Sequence, residues 1–241
     1  MSRQPDRTYV APVARYRIRY AKRGRLRFAS HRDFARSFER ALRRAGVPMA
    51  YSAGFNPHPR ISYANAVPTG AASEAEYLEI ATAAELDVSQ LRAGLGAALP
   101  DGFDIEAVVP ARPPDLAERL QASVWRIVLP GSDVAAVRTA VEALLAADEV
   151  VVTRMTKKGL RSFNVRADVL RLECEPGADG CAILSLVVRH AVPAVRPDDV
   201  LAGLRQVAVL ATPSSPPVMT RMAQGPLAAD GFSVTDPLAR D

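Results

Sequence analysis

The spacing of hydrophobic residues alternates between period two and helical spacing, in a similar order in both halves of this 241-residue chain. Over residues 13–110 the order is strand, helix, strand, strand, helix, strand, and residues 123–241 begin the same series again. The order β–α–β–β–α–β is typical of the ferredoxin-like fold. No residue-level repeat accompanies it. The pattern therefore predicts an α+β protein of two tandem ferredoxin-like domains with antiparallel sheets.

A proline-rich stretch of mixed charge separates the two halves. Residues 110–118 read PARPPDLAE, and proline interrupts both helices and strands. We therefore expect a disordered lead over residues 1–12, a basic ferredoxin-like domain over 13–110, a linker over 111–122, and a second such domain with a C-terminal extension over 123–241.

The first strand of the basic domain is expected to have one apolar and one cationic face. Apolar side chains alternate with arginines over residues 16–20, and side chains two residues apart lie on the same face of a strand. A turn around Gly24 follows, after which Leu26 and Phe28 are expected to resume a short strand. The cationic face consists of Arg15, Arg17 and Arg19.

A helix is expected to begin at Ser30. Its hydroxyl, with Asp33 three residues later, forms a variant of the capping box that closes the first turn. Gly46 and Pro48 end the helical spacing. The apolar face of this helix consists of Phe34, Phe38, Ala41, Leu42 and Ala45. Its outer face consists of Arg32, Arg36, Arg40, Arg43 and Arg44.

The second half is expected to repeat these elements. Ser132 is placed to cap a helix, and Pro197 lies in the first turn of another, where its fixed backbone is favourable. Residues 164–173 and 181–190 are expected to pair as a hairpin, and residues 232–235 to add an edge strand.

Positive charge is concentrated at the start of the chain. The first 65 residues hold 15 basic and three acidic residues, whereas the remaining 176 hold 16 basic and 23 acidic residues, and the net charge is +5. Such a one-sided field is typical of proteins that bind a polyanion. The alternatives are a solvated basic face without a partner, and a basic face that docks on the acidic part of the same chain.

Several protein classes are excluded by what the sequence lacks. No stretch approaches the roughly 20 apolar residues of a membrane span, and the first residues lack the apolar core of a secretory signal, so we expect a cytoplasmic protein. Cys174 and Cys181 flank a turn and are expected to be reduced and structural. They are too few for an iron–sulfur centre, and no nearby histidine completes a zinc site. We therefore expect no metal and no cofactor.

The segment over residues 30–63 is richest in candidate binding groups. It holds six arginines, His31, His58 and the proline-stiffened loop YSAGFNPHPR. Arginine matches phosphate oxygens bidentately, and exposed aromatic rings stack on unpaired bases, so the combination favours single-stranded or looped RNA. The alternatives are core packing for the aromatic residues and a turn-forming role for His58. The aromatic residues of the loop and the strand after it are Tyr51, Phe55 and Tyr63.

The start of the helix adds to this prediction. A helix N-terminus presents backbone amides and partial positive charge to a phosphate, and His31 and Arg32 lie at this end. The predicted RNA-binding set comprises Arg15, Arg17, Arg19, Arg32, Arg36, Arg40, Arg43, Arg44, Tyr51, Phe55, His58 and Arg60.

Two other functions remain open from the residues alone. In a metal-independent endoribonuclease, His31 or His58 would be the general base, and Arg60 and Tyr51 would lie beside the reacting phosphate. No glycine-rich phosphate loop or nucleophile elbow fixes the geometry of these residues. In a protein-interaction module, the basic face would dock on an acidic partner without RNA.

The runs SHRDFARSFERALRRAG and YSAGFNPHPRISYANAVPTGAASEAEYLEI resemble the radical-SAM-linked family of unknown function. The resemblance covers roughly residues 14–220 and is closest over 26–80. Members of that family are separate chains or the C-terminal part of a B12-binding radical SAM protein. The resemblance implies a radical SAM enzyme as partner and a link to RNA-processing functions, but it carries no catalytic residue. We therefore expect a non-catalytic RNA-binding accessory protein, active in tRNA or rRNA modification or processing.

Overall fold

A computed structural model of the protein describes residues 11–53, 55–156, 159–210 and 215–239. Within these residues the fold is mixed α+β, with five α-helices and ten strands in mostly antiparallel sheets. The predicted α+β class is therefore confirmed. Residues 1–10 of the predicted disordered lead lie outside the described residues. The chain divides into two compact units, the first made of residues 1–69 and 75–117 and the second of residues 70–74 and 118–241.

The first unit contains four strands and two long helices. Its strands are hydrogen-bonded in the order β4, β1, β3, β2, and both the β1–β4 and the β2–β3 pairs are antiparallel. The first residues of β3 belong to the second unit. The elements are β1 (Ala14–Lys22), α1 (His31–Arg44), β2 (Ile61–Ala64), β3 (Ala72–Thr82), α2 (Val88–Ala98) and β4 (Phe103–Pro110).

The segment between β1 and α1 differs from the prediction. The expected short strand at Leu26 and Phe28 is wrong, because Gly24–Phe28 forms a 3₁₀ helix. Gly24 has a φ of +56°, which glycine adopts without steric strain, and the amide of Ala29 donates to the carbonyl of Leu26 at 2.8 Å. Ser30, which caps α1, comes two positions after Phe28, so too few residues remain for a strand to form before the helix.

Helix α1 begins as the sequence predicts. The Ser30 hydroxyl accepts a hydrogen bond from the Asp33 amide at 3.3 Å, and the Asp33 carboxylate accepts one from the Ser30 amide at 3.0 Å. These two bonds form the capping box that the spacing predicted. The helix packs its apolar face into the unit, where Phe38 is fully buried and Phe34 stacks on Tyr20 with ring centroids 4.0 Å apart.

The second unit contains a four-stranded sheet in the order β10, β5, β9, β8, with every neighbouring pair antiparallel. Residues Ala72 and Ser73, which belong to this unit, pair in parallel with β10. A separate two-stranded sheet is formed by β6 and β7. The first two residues of α3 (Leu116–Arg119) belong to the first unit and the last two to the second. The other elements of the second unit are β5 (Ala122–Leu129), α4 (Val134–Ala146), β6 (Val151–Thr156), β7 (Gly159–Asn164), β8 (Val169–Pro176), β9 (Ala182–Arg189), α5 (Pro197–Val207) and β10 (Val218–Gly225).

Three predictions for the second half need correction. Asp133, not Ser132, caps α4, because its side chain accepts a hydrogen bond from the Ala135 amide. Asn164 ends β7 and pairs with β6, so the predicted hairpin with residues 181–190 begins only at Val169.

The predicted edge strand is the third correction. Residues 232–235 contribute only one isolated bridge, between Val234 and Leu227, and the strand that joins the sheet is β10. The short helix α3 lies inside the segment that was predicted to be a linker. Among the described residues, no helix combines the length and the apolar character that crossing a bilayer requires.

Replacing the cap of α1 tests the local origin of this helix. Ser30→Ala removes the hydroxyl that accepts from the Asp33 amide, and should lower the free energy of unfolding by about 0.5–2 kcal/mol in urea denaturation. Ser62→Ala is the matched control, because Ser62 is exposed and its side chain forms no hydrogen bond among the described residues. Equal losses in both variants would contradict a capping role.

Candidate functional site

The outer face of α1 carries a continuous stripe of exposed arginines, which we call the α1 stripe. It follows the 14-residue helix over a length of about 21 Å. Arginines four residues apart repel each other, and each such pair destabilises a helix by a few tenths of a kcal/mol. The helix therefore keeps these charges at a cost to its own stability. The α1 stripe consists of Arg32, Arg36, Arg40, Arg43 and Arg44, all of which are exposed.

Among the described residues, no arginine of the α1 stripe forms an ion pair. The Asp33 carboxylate interacts electrostatically with Arg36 and Arg32. Arg40 donates to the Ser37 hydroxyl at 3.3 Å, and Arg44 donates to the carbonyl of Ala98 at 3.4 Å. Both acceptors are uncharged, so the stripe remains available to an external anion.

The N-terminus of α1 is less suited to phosphate than the sequence indicated. Its capping box engages the amides of Ser30 and Asp33. The hydrogen bond from the Ser30 hydroxyl, followed by that from the Ser30 amide, lowers the pKa of Asp33 below its usual value. An ionised carboxylate therefore lies where a phosphate would bind, and repels it. The arginine side chains are therefore the candidate phosphate-binding groups of this helix.

The arginines of β1 do not form the open cationic face that the sequence predicted. Arg17 is only 4% exposed, pairs with Glu79 at 3.3 Å and donates to the carbonyl of Pro114. Arg15 is exposed but pairs with the same carboxylate at 3.1 Å. Arg19 is partly buried, and its Nε is buried without a hydrogen-bond partner among the described residues. Arg17 is therefore not part of the candidate binding surface.

The loop after α1 presents two aromatic rings to solvent. Tyr51 is 48% exposed and Phe55 is 80% exposed, so neither belongs to the core. His58 is also exposed. Its carbonyl accepts a hydrogen bond from the Ser52 amide, and its amide donates one to the Ser52 hydroxyl. The Nε of Arg60 donates to the carbonyl of Tyr51 at 3.3 Å, which closes the base of the loop.

Tyr63 belongs to the core and not to the surface. Its ring contacts Phe34 and meets the exposed His31 edge-on, with ring centroids 4.7 Å apart. Burial, followed by the negative charge of Glu39, raises the pKa of Tyr63 far above its usual value. The phenol therefore stays neutral at any physiological pH.

The two candidate catalytic histidines are not brought together. His31 is the first residue of α1, whereas His58 lies in the loop that follows the helix. No hydrogen bond, ion pair or ring contact among the described residues joins them. No group of metal-ligating side chains occurs in the described part of the chain either.

Phe28 is an exposed residue that the sequence interpretation missed. Its ring is 60% exposed and lies 4.7 Å from the guanidinium carbon of Arg27. One feature of the sequence could have indicated this exposure: only one residue separates Phe28 from Ser30, the residue that caps α1. Two further basic residues, Lys157 and Lys158, lie outside the described residues.

The cysteines have no partner that indicates chemistry. Both are free thiols on either side of the turn of the β8–β9 hairpin, where the Gly177 amide donates to the carbonyl of Cys181. Burial is the largest cause that raises the pKa of Cys174, which keeps this thiol protonated and unreactive.

The fold and the exposed arginines define the class of this protein: it is a mixed α+β protein whose first unit has an arginine-rich surface along one helix. Residues 15–197 match the model of a family described as "Uncharacterized protein conserved in bacteria (DUF2344)". The match covers more than half of the chain, and the protein therefore belongs to this family. Among curated proteins, no sequence matches the chain.

Two neighbouring arginines of β1 should respond very differently to removal. Arg17→Ala leaves the Glu79 carboxylate with only the exposed Arg15 as partner and the Pro114 carbonyl without its donor, and should lower the free energy of unfolding by about 1–3 kcal/mol. Arg15→Ala removes an exposed partner and should cost less than about 1 kcal/mol. Urea denaturation measures both. Similar values would show that Arg17 is not a structural residue.

Proposed function

We propose that the protein is an RNA-binding accessory subunit that presents tRNA or rRNA to a radical SAM enzyme for modification or processing. The observation that carries the RNA part is the α1 stripe, whose five arginines are exposed and have no ion-pair partner among the described residues. Guanidinium groups match phosphate oxygens in a bidentate geometry. A bound phosphate backbone would also relieve the repulsion between the arginines.

The aromatic residues near the α1 stripe favour unpaired RNA over a regular duplex. Tyr51 and Phe55 are exposed in the loop that follows the C-terminal end of α1. Aromatic rings stack on bases only where the bases are splayed out, and sequence-specific proteins therefore recognise RNA mostly in loops and single strands. The loop also contains His58 and Arg60, which we assign to the same binding surface.

We assign a ferredoxin-like domain to each unit, over residues 13–110 and 123–241. The strand orders β4–β1–β3–β2 and β10–β5–β9–β8 support this assignment, because each is the order 4–1–3–2 of a β–α–β–β–α–β domain once the β6–β7 hairpin is treated as an insertion. The radical SAM partner rests on the sequence resemblance, and we also propose a cytoplasmic location.

Neutralising the α1 stripe should weaken RNA binding and reduce its salt dependence. In Arg36→Gln/Arg40→Gln/Arg43→Gln, three phosphate contacts are lost, and the slope of log K against log salt should fall by about two units in magnitude on a single-stranded RNA. Fluorescence anisotropy between 50 and 200 mM salt measures the slope. The control makes the same three changes at the exposed Arg126, Arg138 and Arg205 of the second unit.

Equal effects of the two triple variants would show that only net charge matters, and would contradict a binding role for the α1 stripe. A flat dependence of affinity on salt in the wild type would remove the electrostatic argument for RNA altogether.

Purification from the native host, without nuclease, should identify the RNA and the partner. We expect one class of tRNA or rRNA to be enriched with the wild type and to be lost with the Arg36/Arg40/Arg43 variant. A radical SAM enzyme should be present in the same sample by mass spectrometry. A protein partner without any enriched RNA would contradict the RNA role and favour a protein-interaction module.

A further inference from the structure

The 3₁₀ helix before α1 determines where Phe28 points. In a strand, Leu26 and Phe28 would lie on the same face and be buried together. At three residues per turn, positions two apart are rotated by roughly 120° around the axis. Leu26 accordingly packs against the core of the first unit, while the Phe28 ring is turned outward and is 60% exposed.

The position of Phe28 is fixed by hydrogen bonds on both sides of it. The Arg23 amide donates to the carbonyl of Gly102 at 2.8 Å, and the Ala29 amide donates to the carbonyl of Leu26 at 2.8 Å. Ser30 then begins α1 with its capping box. A ring that is exposed on an ordered backbone loses little conformational entropy when a ligand stacks on it.

One face of the Phe28 ring is covered by a cation. The guanidinium carbon of Arg27 lies 4.7 Å from the ring centroid, and the Nε of Arg27 is buried without a hydrogen-bond partner among the described residues. The face of the ring away from Arg27 is the one that a second planar group could cover. A planar ring bound on that face would lie in the field of the guanidinium as well.

The residues around Phe28 indicate which kind of ligand its ring would bind. Arg25 and Arg32 are both exposed within four residues of it, and Arg32 is the first arginine of the α1 stripe. Among the described residues, three of the four aromatic side chains that are more than a third exposed lie in the first unit, at Phe28, Tyr51 and Phe55. An aromatic face surrounded by arginines complements a ligand that combines a planar ring with phosphates.

We propose that the Phe28 ring, backed by Arg27, is a stacking site for one unpaired base of the RNA whose phosphates bind the α1 stripe. This inference rests on the proposed RNA-binding function and adds a base-contacting residue to it. The RNA then runs along α1, with Phe28 near the N-terminal end of the helix and the Tyr51–Phe55 loop near its C-terminal end.

Stacking can be separated from phosphate binding by removing bases without removing charge. The probe is a fluorescently labelled 12-nucleotide single-stranded RNA, compared with a series in which one abasic nucleotide is moved along the same backbone. Phe28→Ala should weaken binding of the intact RNA by about 5- to 150-fold, whereas Phe28→Trp should retain it. At one position the abasic nucleotide should weaken binding to the wild type but not to Phe28→Ala.

The matched control is Phe232→Ala in the second unit. Phe232 is 39% exposed and has the guanidinium carbon of Arg171 at 5.5 Å from its ring centroid, so it is a similar cation–aromatic pair that belongs to the other unit. This variant should bind the intact RNA as the wild type does. The slope of log K against log salt should be unchanged in Phe28→Ala, because stacking releases no counterions.

The outcomes distinguish this inference from the function on which it rests. If Phe28→Ala binds as tightly as the wild type while the Arg36/Arg40/Arg43 variant is weakened, the stacking site is overturned and RNA binding stands. If Phe28→Trp is as weak as Phe28→Ala, the ring does not act by stacking, and the inference is also overturned. If the wild type binds no RNA at 50 mM salt, both proposals fail.

Discussion

The packing of Phe34 against its aromatic neighbours is the contact on which the rest of the first unit depends. Its ring stacks on Tyr20 of β1 at 4.0 Å and meets Phe103 of β4 at 4.9 Å, and it also contacts Phe38 and Tyr63. These contacts fix both the height and the rotation of α1 on the sheet. Because the side chains on one side of a helix are buried, those on the opposite side must face solvent, and the α1 stripe is exposed for this reason.

Arginines of the same basic segment have different roles because they belong to different elements. Arg17 is held at the sheet by Glu79 and Pro114, so its charge is neutralised inside the unit. Arg27 lies against an aromatic ring. The arginines of α1 have neither an ion-pair partner nor a covering element among the described residues. The net charge of the first unit therefore overstates the positive charge that is exposed on its surface. Helix α1 carries most of this exposed charge.

Local chemistry was sufficient to predict the elements that are determined within a few residues. The Ser30 capping box and the terminating Gly46 define α1, and Pro197 begins α5 as expected. The failures have more than one cause. Asn164 belongs to β7, which pairs with β6 instead of joining the β8–β9 hairpin, and β10 carries the buried Arg221 inside a strand, which breaks the alternation of polar and apolar residues. Neither strand has a hydrophobic period of its own.

Residue type and spacing along single elements were enough to establish the α+β class and the helix α1 with its five outward arginines. Which charges are exposed depends instead on contacts between elements that are far apart in the chain. Glu79 lies in β3, 62 residues after Arg17 in the chain, and its pairing removes that arginine from the surface. The outward rotation of Phe28 likewise followed from the 3₁₀ backbone between β1 and α1, since the same residues in a strand would have buried the ring.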